Sequence, residues 1–459
     1  MEDDQKLKLL NQSEDNLDSY GNQEANAVVK DPGDNNDEEN RDQLSSRSKK
    51  VFLATLSYIT GCGAMALVLL ASFFPVVAVN RHIYPYEIAV IFAIYPLMKF
   101  LSSTVIGLYL PQVGVNITIW MGLILEGGGL IIFAFLDRIL DRNTFVVYCI
   151  ITRGFQGVGA GLHLTASIAC AIAINQDAIG TTIAIIEFAA GIALIISPII
   201  GGVLYQYGGF KAPFLALGCL LVINSFLVIK FPRIHDIRAS PPLKTFLKVL
   251  TMPRVVILYV TIILQTICVT FLDPTIAIHL RQFHLSSSAI GGLYGIQSLS
   301  YMIFCAVAGI IVDKTGKFRW INIYAFIILA VSFQFVGPAP YLKMHQSLTK
   351  IVIVFIFIGL AIALSVVSSY PDMAEILTSR KKKWINHENK FMVFSLTSGL
   401  ANSGLALGQI LGLLIGGALA LKSDAAFNWT SSVLGFLALG QAIVMIILTA
   451  IDCANSNES

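Results

Sequence analysis

The sequence predicts an all-α membrane protein whose twelve transmembrane helices form two six-helix bundles. The 459-residue chain is 56% hydrophobic and 13% charged, with a mean hydropathy of +0.74, whereas a soluble domain carries roughly 25% charged residues. Twelve apolar runs, six before and six after a polar segment, can each cross the ~30 Å hydrocarbon core of a bilayer as a helix. A helix also satisfies its own backbone hydrogen bonds in lipid.

The apolar runs also predict how the chain is organised. Residues 1–48 are rich in Asp, Glu, Asn, Gln and Ser and hold no apolar run typical of a signal peptide, so they are expected to form a disordered acidic tail in the cytoplasm. Six-helix bundles are expected at 49–231 and 253–452, joined by a cytoplasmic linker at 232–252 and followed by a C-terminal tail at 453–459. In order, the helices are predicted at 51–79, 86–110, 115–137, 144–173, 178–206, 211–231, 253–281, 287–313, 319–341, 348–378, 390–421 and 426–452.

Basic residues predict the orientation of the chain. They are concentrated in the linker and in the loops after predicted helices eight and ten, whereas the opposite side holds only scattered Lys and Arg. Cytoplasmic loops carry an excess of Lys and Arg, so both termini are expected in the cytoplasm. The loops near 111–114 and 174–177 carry neither residue, and the first half therefore adds little to this bias.

The sharpest motif joins predicted helices eight and nine on the cytoplasmic side. Its first glycine allows a close helix contact and its last glycine a tight turn, and its acidic residue can cap a helix or pair with basic groups across the gap between helices. We interpret the motif as a gate; the alternative is an ordinary charged turn. The motif residues are Gly309, Asp313, Lys314, Gly316 and Lys317.

Two further motifs lie inside predicted helices four and five. Arg153 precedes Gln156 and Gly157, and an arginine at lipid depth is costly unless a carboxylate, a carbonyl or water accompanies it. The alternative for Arg153 is a helix-end side chain that reaches the interface. In helix five a proline predicts a bend and small residues predict close helix packing. The helix-five residues are Gly191, Pro198, Gly201 and Gly202.

Together these motifs resemble those of the major facilitator superfamily. Residues 309–317 resemble its loop motif, 153–161 the helix-four motif of its proton-driven antiporters, and 191–202 their helix-five motif. The first-half copy of the loop motif, at 107–114, has lost its charged residues. The resemblance implies the major facilitator fold, with two bundles around a central cavity that opens alternately to either side of the membrane.

Three shorter segments, 135–138, 202–206 and 271–275, are similar to the vesicular amine transporter family (solute carrier family 18), most of all to its polyamine-transporting branch. The chain departs in two ways from the monoamine carriers of this family, which have an acidic residue in helix one and a long first loop on the non-cytoplasmic side. Here residues 61–66 hold no acidic side chain, and that loop spans only 80–85. Both departures point away from a monoamine as the substrate. The resemblance implies a secondary active transporter, a proton-coupled antiporter of an organic cation, in a secretory or synaptic vesicle membrane, with the plasma membrane as the alternative.

Five ionisable residues fall at bilayer depth: Lys99, Glu126, Arg153, Glu187 and Asp273. Burial raises the pKa of a carboxyl group, and a nearby cation lowers it. A carboxyl group on which both effects act can therefore bind and release a proton near neutral pH. We assign to Asp273 and Glu187 the alternate binding of a proton and an amine, to Glu126 a second acidic contact, and to Arg153 and Lys99 the tuning of local charge. The alternative is two static ion pairs, Glu187–Arg153 and Glu126–Lys99.

Other polar residues are weaker candidates. His163 is interpreted as a hydrogen-bonded packing residue. Asp372 and Glu375 could form an inner gate with the basic cluster 380–383, or remain solvated. Aromatic faces can also attract a cation, and the tyrosines considered for this are Tyr205, Tyr294, Tyr301 and Tyr370.

Several classes of function are not expected. The seven cysteines are scattered without metal-binding spacing, and the sequence holds no phosphate-binding loop, no Ser-His-Asp set and no metal cluster. We therefore expect no enzyme, no cofactor, no metal and no nucleic-acid partner, but a monomer that binds a small cationic substrate, protons and membrane lipid. The alternatives are a carrier of another substrate class (a drug, an organic anion or a metabolite) or a non-transporting membrane sensor.

Overall fold

The computed structural model describes residues 46–70, 73–229, 249–284, 287–338, 340–344, 347–378, 390–420 and 424–457. Within these ranges twelve helices are long and apolar enough to cross a membrane, and no residue lies in a β-strand. The predicted all-α protein with twelve membrane helices is therefore confirmed. The helices are α1 (Ser46–Leu69), α2 (Pro85–Val113), α3 (Val115–Ala134), α4 (Arg142–Ile174), α5 (Ile179–Gly208), α6 (Lys211–Val228), α7 (Pro253–His279), α8 (Ser287–Thr315), α9 (Phe318–Val336), α10 (Leu348–Thr378), α11 (Lys390–Ala420) and α12 (Asp424–Asn457).

Several helix bounds differ from the predicted ones. The first predicted span, 51–79, is two helices, because a short helix, Phe74–Asn80, follows α1 with Pro75 in its first turn, where a missing N–H is tolerated. Helix α9 ends at Val336, five residues before the predicted end, since Gly337 and Pro338 follow. Helix α12 continues to Asn457, so most of the predicted C-terminal tail is helical.

Two predicted parts of the chain lie outside the described residues, namely most of the N-terminal tail (1–45) and most of the linker (230–248). Contacts divide the chain into two compact units, 1–52 and 53–459. The described part of the first unit is the beginning of α1, and the second unit contains the remaining helices.

Helix packing forms two bundles within the second unit. In the first half α4 packs against α2 and α3, and α3 packs against α6; in the second half α7 packs against α11, and α10 against α8 and α9. Phenylalanines fill both interiors, with Phe133 against Phe214 at 4.7 Å between ring centroids in the first half, and buried Phe271 and Phe326 in the second. Lipid tails are as apolar as these side chains, so close van der Waals packing holds the helices together.

The two halves meet mainly at one membrane face, which we call the even-loop face because the turns after α2, α4 and α8 lie there. Contacts between halves join α2 and α4 to α11, and α5 to α8 and α10. Near the even-loop face α2 and α11 approach so closely that a Cβ on Gly399 would lie 2.5 Å from the Cα of Gly107, and the Ser395 hydroxyl donates to the Gly107 carbonyl at 2.7 Å. Residues 391–404 of α11 are all buried, whereas exposure returns farther along this helix. The halves are thus closed together at the even-loop face.

Candidate proton and substrate site

The predicted gate motif contributes to this closure through one carboxylate. Asp313, near the end of α8, accepts hydrogen bonds from the backbone N–H groups of Gly180 at 2.8 Å and Thr181 at 2.7 Å, in the first turn of α5. The first N–H groups of a helix have no partner within the helix and carry the positive end of its dipole, so a carboxylate satisfies them well. Gly309 lies one turn earlier, where a Cβ would lie 2.6 Å from that of Ala184. The contact joins one half to the other.

The basic residues of the motif take no part in this contact. Lys314 and Lys317 are exposed, and no ion pair to either is found in the described part of the chain. Gly316 has φ +62, in the left-handed region where a side chain would be strained. The acidic residue and the two glycines therefore have structural roles in the closed face.

We expect Asp313→Asn to open the even-loop face. One end of an amide cannot accept a hydrogen bond, so one of the two N–H groups loses its partner, and a helix-capping side chain contributes about 0.5–2 kcal/mol. The closed population should fall severalfold. Pulsed electron spin resonance between labels on Asp177→Cys and Thr315→Cys, both exposed and in opposite halves, measures the separation in a background without native cysteines. An unchanged distance distribution in Asp313→Asn would refute this role.

A cluster of polar side chains is buried between α2, α3 and α4. Glu126 is 0% exposed, and its two oxygens have different partners: Oε1 accepts from the Tyr95 hydroxyl at 2.9 Å, and Oε2 lies 2.6 Å from Nε2 of His163. Close packing at Gly122 and Gly159 brings α3 and α4 together here, since a Cβ on Gly122 would lie 2.6 Å from the backbone nitrogen of His163. Glu126 is therefore enclosed by protein on all sides.

Arg153 is also fully buried, and it does not form the ion pair considered as an alternative. Its Nη1 donates to Oε1 of Gln156 at 2.8 Å, and its guanidinium lies over the Tyr95 ring, 4.4 Å from the centroid. The alternative of two static ion pairs, Glu187–Arg153 and Glu126–Lys99, is therefore wrong. In neither pair do a side-chain nitrogen and a carboxylate oxygen lie within 4 Å of each other. Gly157 allows α4 to approach α2 beside this cluster, with the Tyr95 backbone in contact.

Glu187 lies where the two halves meet. This half-buried carboxylate on α5 accepts a hydrogen bond from the hydroxyl of Tyr301 on α8, at 2.7 Å. Lys99, 7% exposed on α2, is close enough to interact electrostatically with both Glu187 and Glu126. Within the described residues no ion pair to Lys99 or Glu187 is shorter than 4 Å. The Glu187 carboxyl therefore has a hydrogen-bond donor from the opposite half but no cation within ion-pair distance among the described residues.

Asp273 lies at a different depth. It is the twentieth residue after Pro253, about 30 Å along α7 from the even-loop face, whereas Glu187 is about 12 Å along α5 from that face. Its side chain is exposed, and its backbone carbonyl accepts a hydrogen bond from the Tyr294 hydroxyl at 3.1 Å. No ion pair to the Asp273 carboxylate is found among the described side chains. The predicted residues thus form a cluster of Lys99, Glu126 and Arg153 near Glu187, with Asp273 apart.

The residues of the α5 packing motif differ in whether they contact a neighbouring helix. Gly191 lies against Met302 of α8, with a built Cβ 3.1 Å from the Met302 Cβ, and the hydroxyl of Ser197 donates to the carbonyl of Met65 at 2.8 Å. Pro198 lies inside a helix that continues to Gly208, and Gly201 is buried as a packing residue would be. Gly202 has open space around it.

Several residues of the even-loop face were not predicted to be partners. Asp372 pairs with Arg319 at 3.4 Å, and Asp452 near the end of α12 pairs with both Arg319 and Arg254. The cluster 380–383, considered as an inner-gate partner of Asp372 and Glu375, lies outside the described residues. Likewise His163 and Tyr301 proved to be the partners of the buried acids. Their positions in the sequence indicate membrane depth but not the direction in which each helix presents them.

Comparisons with known proteins agree with this fold. The family model of the Major Facilitator Superfamily matches residues 56–382. The chain is similar to the MFS-type transporter SLC18B1 of Mus musculus, 28% identical over 91% of this chain and 89% of the relative, and to that of Homo sapiens, 27% identical over 90% and 89%.

More distant similarities point the same way. The Synaptic vesicular amine transporter of Homo sapiens is 23% identical over 76% of this chain and 64% of the relative. The crystal structure of the human organic anion transporter MFSD10 (TETRAN) matches with a TM-score of 0.59 at 14% identity, covering 87% of this chain and all of that one, which shows the shared fold. Because the family model matches well over half of the residues, the chain belongs to the Major Facilitator Superfamily and is a membrane transporter.

Proposed function

We propose that this protein exchanges protons for an organic cation, a polyamine or a related amine, by alternating access. The observation that carries the proposal is the position of Glu187, a carboxylate between the two halves whose hydrogen-bond partner, Tyr301, belongs to the opposite half. A half-buried carboxylate without an ion pair within 4 Å can hold a proton or an ammonium group, but holding both at once is unfavourable.

Rocking of the halves would link this binding to access. In the closed even-loop face, α5 and α8 are joined by the Asp313 and Tyr301 hydrogen bonds. If the halves separate there, Glu187 loses the Tyr301 hydroxyl and becomes reachable from the other side of the membrane. A ligand that binds only one of these arrangements shifts the equilibrium by its difference in affinity. Binding of a proton in one arrangement and of an amine in the other would couple the two fluxes.

The similarity to amine transporters supports a cationic substrate. Two of the relatives are named as an MFS-type transporter, SLC18B1, and a vesicular amine transporter. Asp273 offers a second, exposed carboxylate nearer the opposite face, so an amine entering from there would meet Asp273 before Glu187. Acidic groups at two depths suit a substrate with several ammonium groups. By the positive-inside bias the even-loop face would be cytoplasmic, and the proposed amine site would then be reached from the interior of a vesicle.

Transport by the purified protein tests this proposal. Proteoliposomes with an acidic interior should accumulate a labelled polyamine saturably, and the accumulation should collapse when the pH gradient is dissipated. Uptake that ignores the gradient would refute proton coupling. Absence of saturable flux of any compound in a panel of amines, drugs, organic anions and metabolites would favour a non-transporting sensor.

A second candidate, an organic anion carrier, is favoured by Lys99. This buried cation has no carboxylate within 4 Å in the described part of the structure, and Arg153 nearby is also without an acidic partner within that distance. An anion could bind next to two such cations. The same panel decides between the candidates, because gradient-driven uptake of an anion but not of a polyamine would select this one.

A further inference from the structure

We infer that His163 and Glu126 form a proton-binding pair that alternates between one and two protons, with the second proton bound at Nδ1 of His163. The inference rests on the proposed proton coupling and names a residue that carries the coupled proton. It also changes the role of Glu126 from a contact for the substrate to the counter-ion of a histidine.

The geometry requires at least one proton in this pair. Nε2 of His163 and Oε2 of Glu126 are 2.6 Å apart, and both side chains are 0% exposed. Without a proton between them, the lone pairs of Nε2 and Oε2 would repel each other at this distance, which leaves no room for a water between the two atoms. A carboxylate only accepts hydrogen bonds, so a singly protonated pair is a neutral imidazole that donates from Nε2 to a charged Glu126. The Tyr95 hydroxyl satisfies the other carboxylate oxygen at 2.9 Å.

The second ring nitrogen is the free position. Nδ1 of His163 is buried and has no hydrogen-bond partner among the described residues. Buried polar atoms are usually paired, and an exception calls for an explanation such as a role in chemistry. Proton uptake at Nδ1 converts the pair from net charge −1 to an imidazolium–carboxylate pair of net charge 0. No other group has to gain or lose a proton in this step.

The helices around His163 and Glu126 leave no room for the substrate and place other charged groups near this pair. On α1, Gly63 lies against the ring, and a Cβ there would lie 2.7 Å from Nε2. The charged or titratable groups that act on Glu126 are Tyr95 and Lys99 from α2 and Arg153 from α4. A proton can reach so small a space through rearrangement of the halves or transient water, whereas an amine cannot.

Lys99 links this pair to the proposed amine site. It interacts electrostatically with Glu126 on one side and with Glu187 on the other. When His163 takes up a proton, the surroundings of Lys99 and Glu187 gain one positive charge, which disfavours a second cation at Glu187. Charges a few ångströms apart interact strongly where water is excluded. A proton on His163 thus disfavours the amine electrostatically, in addition to the competition of proton and amine for Glu187 itself.

Nuclear magnetic resonance tests proton binding without any substrate. The full-length protein, labelled with ¹⁵N-histidine, is titrated in nanodiscs between about pH 5 and 8, the range in which histidine commonly changes charge. The imidazole signal of His163 should report reversible protonation over this range. It is identified because it disappears in His163→Gln and persists in His82→Asn, which changes an exposed loop histidine. Glu126→Gln, the second variant in case His163→Gln does not fold, removes the counter-ion and should change the pH dependence of that signal. A His163 signal that is constant over this range would overturn the inference.

Transport then separates this inference from the proposed function. In proteoliposomes we expect His163→Gln to retain exchange of labelled for unlabelled amine but to lose accumulation driven by the pH gradient, while His82→Asn behaves as wild type. Gradient-driven accumulation by His163→Gln at the wild-type level would refute its role in coupling. If the wild type transports nothing, the proposed function fails, and the resonance titration still decides whether His163 binds a proton.

Discussion

Glu187→Gln is expected to abolish gradient-driven accumulation of the amine and also to weaken amine binding. Glutamine has nearly the same shape and can still accept the hydrogen bond of Tyr301, so the contact between the halves is preserved. It can neither bind a proton nor pair with an ammonium group. Hydrogen bonds to charged groups contribute about 1.5–3 kcal/mol, and their loss should remove both the coupling and much of the amine affinity. Uptake into acid-loaded proteoliposomes measures the effect.

A matched substitution separates charge loss at this position from a general change of surface charge. Asp177→Asn removes an acidic group that is exposed in the loop between α4 and α5, and it should leave accumulation unchanged. Tyr301→Phe removes the donor and keeps the carboxylate, so coupling should persist while the balance between closed and open even-loop faces changes. Wild-type accumulation by Glu187→Gln would exclude this carboxylate from the exchange.

Asp273→Asn is expected to raise the KM for the amine by roughly tenfold or more, from the loss of a charged hydrogen bond of about 1.5–3 kcal/mol, and to weaken dependence on the pH gradient. The carboxylate is exposed on α7 and no basic side chain lies within 4 Å of it among the described residues. Nothing in the described structure compensates its charge, so a cation is its natural partner. Initial rates over a range of amine concentrations, with and without the gradient, measure both effects.

The conservative variant provides the control at this position. Asp273→Glu keeps the charge and should restore most of the affinity, whereas the neutral asparagine should not. Pro274, the next residue, packs on Gly416 of α11, so both variants are first compared for thermal stability. If Asp273→Asn retained full dependence on the pH gradient, the exchange role of Asp273 would be wrong.

The fold could be predicted from sequence because lipid imposes simple rules. Each apolar run had to become a helix. Local chemistry decided the bounds, as at Pro75 in the first turn of the short helix after α1, and at Gly337 and Pro338 after α9. The predicted regions that remain untested are the acidic tail and the linker, most of which lie outside the described residues.

The partners of the charged residues could not be predicted in the same way. Sequence predicts depth along a helix, whereas a contact also depends on how each helix is rotated and which neighbour it meets. Arg153 was expected to be accompanied by a carboxylate, a carbonyl or water, and it donates to the side-chain carbonyl of Gln156 one turn away and lies over the Tyr95 ring. Glu126 was assigned as a second acidic contact, with a Lys99 pair as the alternative, whereas its partners are His163 and Tyr95, next to the close packing of α3 and α4 at Gly122.

The central claim is that amine and proton move in opposite directions through one protein. Proteoliposomes that trap a pH-sensitive dye and receive a labelled polyamine from outside report both fluxes in a single experiment, at zero initial gradient. The account predicts that saturable amine entry is accompanied by proton exit, and that both vanish together in Glu187→Gln. Saturable amine entry with no change in internal pH would contradict it.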